Sequence, residues 1–94
     1  MANNHKSMEN LISEIERIGR SFERCIVVYN DDYHMFDDVV AILKAATGKT
    51  VEEVYDITLE AHMNGHAVCF SGDMEECERI ADILREAGLL VEVE

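Results

Sequence analysis

The stretch that decides the fold is RCIVVYNDDYHMFDDVVAIL, Arg24 to Leu43. It opens on a continuous apolar, β-branched run, breaks at Asn30-Asp31-Asp32, and resumes with apolar residues at Phe36, Val39, Val40 and Leu43. The first run predicts a buried strand. The second, spaced i, i+3, i+4, i+7, predicts a helix with one apolar face that ends before Gly48. Between the two, Asn30, Asp31, Asp32 and His34 crowd hydrogen-bonding groups into the handover from strand to helix.

Working outward, Thr50 and Glu53 form a T-x-x-E capping box, so a second helix starts at Val51, runs to about Met63 and stops at Asn64-Gly65. HAVCF, His66 to Phe70, reads as a second strand, and Ser71-Gly72-Asp73 turns the chain. Cys77, Ile80, Ala81 and Leu84 mark a third helix closed by Gly88. Leu89, Val91 and Val93 then alternate with Leu90, Glu92 and Glu94, the pattern of a half-exposed strand. Upstream, residues 1–9 read as loose and polar. Over 10–22 the residues Leu11, Ile12, Ile15 and Ile18 share a helical face opposite Glu14, Glu16 and Arg17, predicting a short amphipathic helix ended near Gly19. That helix is expected to dock on the body or on a partner.

The predicted fold is α/β (α+β): a single-domain open-faced sandwich of order β-α-α-β-α-β. Its three-stranded sheet is covered on one side by helices and preceded by a helical N-terminal arm. Residues 1–22 form the extension and 23–94 the core.

Composition narrows the function classes. The 94 residues suffice for one modest core, and 48% apolar with 30% charged residues is ordinary for a soluble globular chain. The formal net charge of -12 carries no Lys/Arg stripe, which argues against nucleic acid and anionic membrane surfaces and favours cationic partners. Cys25, Cys69 and Cys77 form no CxxC pair and sit in apolar runs, so they read as small buried hydrophobes in a reducing compartment. No signal-peptide pattern is present at the N-terminus, and a cytoplasmic monomer is expected.

The handover loop is where chemistry could reside. Taken singly, each residue has an ordinary structural reading: Asn and Asp form turns and caps, and Asp37 and Asp38 complement a helix dipole. The composite is harder to dismiss: an Asn-Asp-Asp cluster, His62 near the end of the second helix, and an apolar helix face that begins at Phe36. No nucleophile motif or phosphate loop accompanies it, so an enzyme is not expected. A metal at Asp31, His34 and His62 is a minor alternative, because the spacing matches no standard site. No cofactor is implied.

Two blocks carry a resemblance. YNDDYHMFDDVVAIL, Tyr29 to Leu43, resembles the N-D-D-Y-T-P-M-x-F-V-x-x-x-L signature of the ClpS family, and LEAHMNGHAVC, Leu59 to Cys69, resembles its L-x-x-H-x-x-G-x-A-x-C segment. The likeness extends from about Arg24 to Glu94, with a shorter third helix and following loop. It implies an adaptor that holds proteins whose first residue is a bulky hydrophobe, an N-degron, and delivers them to a AAA+ Clp unfoldase of the ClpA or ClpC type. By this resemblance Asn30, Asp31, Asp32 and His62 receive the α-amino group, while Phe36, Val39, Thr58, Ala61 and Leu89 form the side-chain pocket. His34 and Met35 fall on its rim, and Glu75, Glu76 and Arg79 in the region that docks on the unfoldase.

The implied task is physically reasonable. An α-amine is largely cationic near neutral pH and needs acceptors, each charge-assisted bond contributing about 1.5–3 kcal/mol. Burying one Leu or Phe side chain contributes about 1.5–3 kcal/mol. Against the entropy of association this gives micromolar affinity, about -8 kcal/mol. The chain departs from the family at His34-Met35, where Thr-Pro is usual, and at Phe36, where the pocket Met is usual. Thr58 and Ala61 are also smaller than the usual Met and Val. A ClpS-like module whose pocket is filled by Phe36, docking without N-degron binding, is the alternative.

Overall fold

The computed structural model describes residues 7–16 and 23–94 in full, and the backbone of residues 17–21. Helix α1 (Met8–Ser21) is followed by strand β1 (Arg24–Tyr29), helices α2 (Phe36–Thr47) and α3 (Val51–Asn64), strand β2 (His66–Gly72), helix α4 (Met74–Glu86) and strand β3 (Val91–Val93). The order is the expected one.

Local chemistry sets most boundaries. Thr50 Oγ1 accepts from the Glu53 N–H at 3.2 Å, and the Glu53 carboxylate accepts from the Thr50 N–H at 3.3 Å, closing the predicted capping box. Asp73 caps α4 by accepting from the Glu76 N–H at 2.8 Å. Gly48 ends α2 and Gly65 ends α3, each in the left-handed region at φ 74° and 91°. Helix α2 starts differently: Met35 occupies its N-cap and makes no side-chain cap bond.

The sheet has the order β2-β1-β3, antiparallel throughout, so the apolar run of β1 lies in the centre. The register pairs Val28 with Ala67 and Val91, and shifts between Ile26 and Val27. Ile26 and Val28 face the helices and are buried with Leu43, Val54, Cys69, Cys77 and Leu84. On the other face, Val27 lies between its register partners Val68 and Glu92, and Val68 is 50% exposed. One covered and one open face is what the alternation in the last strand implied.

Three readings need correction, the first at Ser71-Gly72-Asp73: β2 runs on through Ser71 and Gly72, which pair with Cys25 and Arg24. Helix α1 begins at Met8 and continues past Gly19, so Met8 and Glu9 belong to a helix rather than a loose lead. Residues 1–6 of that lead, with the side chains of Arg17 and Ile18 from the helix faces, lie outside the described residues. Leu11, Ile12 and Ile15 are 40, 47 and 67% exposed, so this part of the stripe is not packed on the body. Cys25 is half-buried, unlike the buried Cys69 and Cys77, because it lies toward one end of β1 on the open side. Among the described residues no helix is long and apolar enough to cross a membrane.

Candidate functional site

Strand β1 ends at Tyr29, and the chain must cross from the sheet to the first turn of α2 within six residues. The crossing is pinned at its start, where the Asn30 N–H donates to the Gly65 carbonyl at 2.9 Å. Because Gly65 terminates α3, this bond sets Asn30 beside the helical turn that carries His62. Asp31 then folds the loop on itself. Its Oδ1 accepts from the backbone N–H groups of Tyr33 at 2.9 Å and His34 at 2.8 Å. This turn replaces the absent Thr-Pro cap, since it fixes the residues immediately before the Met35 N-cap.

The Asp31 and His34 side chains also meet. His34 Nδ1 lies 2.9 Å from Asp31 Oδ2, and His34 Nε2 lies 3.3 Å from the carbonyl oxygen of Ala87, at the end of α4. Backbone donation from His34 holds the Asp31 carboxyl below its ordinary range. The bond to Asp31 raises the His34 imidazole above its ordinary value. The pair is half-buried and bridges the loop to the α4–β3 turn.

Behind the loop opens a cavity of about 180 Å³. Asn30, Asp31, Asp32, His34 and His62 line its polar part, and Phe36, Val39, Thr58, Ala61 and Leu89 its apolar part. Three stretches distant in sequence therefore converge: the loop with the start of α2, helix α3, and Leu89 in the turn before β3. The Thr58 hydroxyl donates to the Val54 carbonyl at 2.7 Å, which occupies the donor of the one buried polar side chain on that wall. Phe36 does not fill the space: it borders the cavity, and its ring meets Tyr55 edge-on with centroids 5.0 Å apart.

Not every named residue is gathered there. Met35 is absent from the lining and is 72% exposed. Glu75, Glu76 and Arg79 line a separate depression with Asp73 at the start of α4. Val28 and Tyr29 also border the cavity, although the sequence reading assigned them only to a strand; their position directly before Asn30 was the available signal. Among the described residues no group of three His, Cys, Asp or Glu side chains is arranged to hold a metal ion.

Comparison with known proteins gives a consistent result. The family described as ATP-dependent Clp protease adaptor protein ClpS matches residues 20–92. An ATP-dependent Clp protease adapter protein ClpS from a Nostoc species is 34% identical over 65 residues, covering 68% of this chain and 67% of that one. Its Synechocystis counterpart is 29% identical over 82 residues, covering 86% and 82%. Among solved structures, Agrobacterium tumefaciens ClpS2 bound to L-phenylalaninamide superposes with a TM-score of 0.66 at 24% identity, over 77% of this chain and 94% of that one. That likeness supports the shared fold.

Proposed function

Because the chain belongs to the ClpS family of ATP-dependent Clp protease adaptors, we propose that it recognises proteins by a bulky hydrophobic first residue and hands them to a AAA+ Clp unfoldase. Residues 23–94 act as the recognition core and 1–22 as an extension. In this reading the protein is an adaptor without catalytic activity of its own, working as a cytoplasmic monomer. The observation that carries the reading is the two-part cavity, in which acceptors and apolar walls share one space of about 180 Å³. An engineered cavity of about 150 Å³ accepts benzene, so an aromatic or leucine side chain is of the right size.

Asn30, Asp31, Asp32 and His62 would receive the α-amine, the first residue's side chain would enter between Phe36, Val39, Thr58, Ala61 and Leu89, and His34 and Met35 would border the entry. Asn30 and Asp32 are exposed, so an incoming amine can reach them without loop opening. The unfoldase would dock at Glu75, Glu76 and Arg79. The similar Agrobacterium protein was solved with L-phenylalaninamide, which makes that compound a suitable first probe.

The test is titration with peptides beginning in Leu, Phe, Tyr or Trp, against N-acetylated versions of each. Micromolar binding of at least one free peptide, abolished by acetylation, is expected. Equal binding of free and acetylated peptides, or none at all, refutes the reading.

A further inference from the structure

Both ring nitrogens of His34 face acceptors. Nδ1 meets the Asp31 carboxylate at 2.9 Å and Nε2 meets the Ala87 carbonyl at 3.3 Å. A neutral imidazole carries one N–H, so either tautomer would turn a lone pair toward one of these oxygens. The imidazolium, with two N–H groups, satisfies both. From the geometry we infer that His34 is a positioning residue: as an imidazolium it cross-links the Asp31 loop to the α4–β3 turn and so holds the two halves of the cavity in register. This rests on the N-degron reading of that cavity.

The surroundings favour the cation from each side. Asp31 faces it from the loop, Asp38 acts on it from the first turn of α2, and Ala87 presents the C-terminal end of the α4 dipole. His62, from α3, and Asp32 line the same cavity. The turn is shaped to admit the ring. Gly88 is left-handed at φ 90°, and a Cβ there would stand 3.2 Å from His34 Nε2. Leu89 follows immediately and forms part of the cavity wall, so His34 ties the loop that carries the proposed amine site to the segment that carries that wall. A cross-link of this kind raises affinity by removing the cost of ordering the pocket on binding.

The test has two arms. The first is an NMR titration of the His34 ring nitrogens in wild type and in Asp31→Asn. A midpoint above the ordinary value of about 6.5 that falls in the variant is expected, and a midpoint at or below it overturns the inference. The second compares binding of a Phe-initiated peptide by wild type and His34→Gln across pH. Titration of the peptide amine affects both proteins and cancels in their ratio. The wild type should bind roughly three- to tenfold more tightly near pH 6, with the advantage disappearing as pH rises past the His34 midpoint. A ratio of one at every pH overturns the inference. If wild type binds no such peptide at any pH, the N-degron reading falls, and the NMR arm alone decides the cross-link.

Discussion

The backbone N–H of Asn30 donates to the carbonyl of Gly65, joining the end of the central strand to the end of α3 at 2.9 Å. This bond brings an acceptor loop and a histidine, 32 positions apart as Asn30 and His62, to one cavity. It depends on α3 stopping at Gly65, which in turn depends on a backbone conformation that side chains resist.

Gly65→Ala should therefore destabilise the fold by about 1–2 kcal/mol, the cost of a left-handed residue with a Cβ. No heavy atom lies within 4 Å of the Cβ position, so strain and not collision is the cause. Urea unfolding measures it, and an unchanged midpoint would contradict the account.

Asp31 combines two tasks that can be separated. Its Oδ1 organises the loop by accepting two backbone N–H groups, and its charge is available to an amine. Asp31→Asn keeps an acceptor oxygen and removes the charge. It should weaken binding of a free N-terminal peptide by about 1.5–3 kcal/mol, while Asp31→Ala, which also loses the two backbone bonds, should lower the melting temperature further than Asp31→Asn does. Calorimetry and a thermal melt on both variants distinguish the roles.

The Asp31–His34 pair gives stability a pH window. Asp31 is shifted down in the fold, so its contribution is present above the unfolded value of about 3.9 and is lost as pH falls through the lower folded value. His34 is shifted up, so its contribution is present below about 6.5 and is lost as pH rises through the higher folded value. Full benefit of the pair lies between those unfolded values. Denaturation midpoints of wild type and His34→Gln should differ most near pH 5 and converge in alkaline buffer.

The cysteines should react in sequence. Burial pushes the Cys69 thiol up to about 12 and the Cys77 thiol above its ordinary value, so neither presents thiolate at neutral pH. Cys25 is half-buried. An alkylating reagent followed by mass spectrometry should mark Cys25 in the folded protein, and Cys69 and Cys77 only after unfolding.

What could be read in advance was whatever neighbouring residues decide among themselves. The Thr50–Glu53 box, the stop at Gly65 and the alternation from Leu89 to Glu94 are local, and each is found as read. The loop cluster and His62 are legible from the residues themselves, whereas the pocket residues come through a family likeness, which supplies pairings that periodicity does not contain. Features made by distant contacts were missed. His34 reaches Ala87 across 53 positions, and no local pattern announces that bond. Cys25 looked like a core residue because its neighbours are apolar, yet its exposure depends on which face of the sheet is covered. The start of α2 was legible despite the missing Thr-Pro, because the spacing from Phe36 to Leu43 outweighs a poor cap.

Strand β1 is paired on both sides, whereas β3 is a three-residue edge strand. Local opening follows such differences: a central strand exchanges its amide protons last and a short edge early. The Asn30 loop leaves directly from β1, and Leu89 leads into β3. The cavity thus spans the slowest-opening and the quickest-opening parts of the sheet. Deuterium uptake over Leu89–Val93 would register an occupied cavity well before uptake over Ile26–Tyr29 changes.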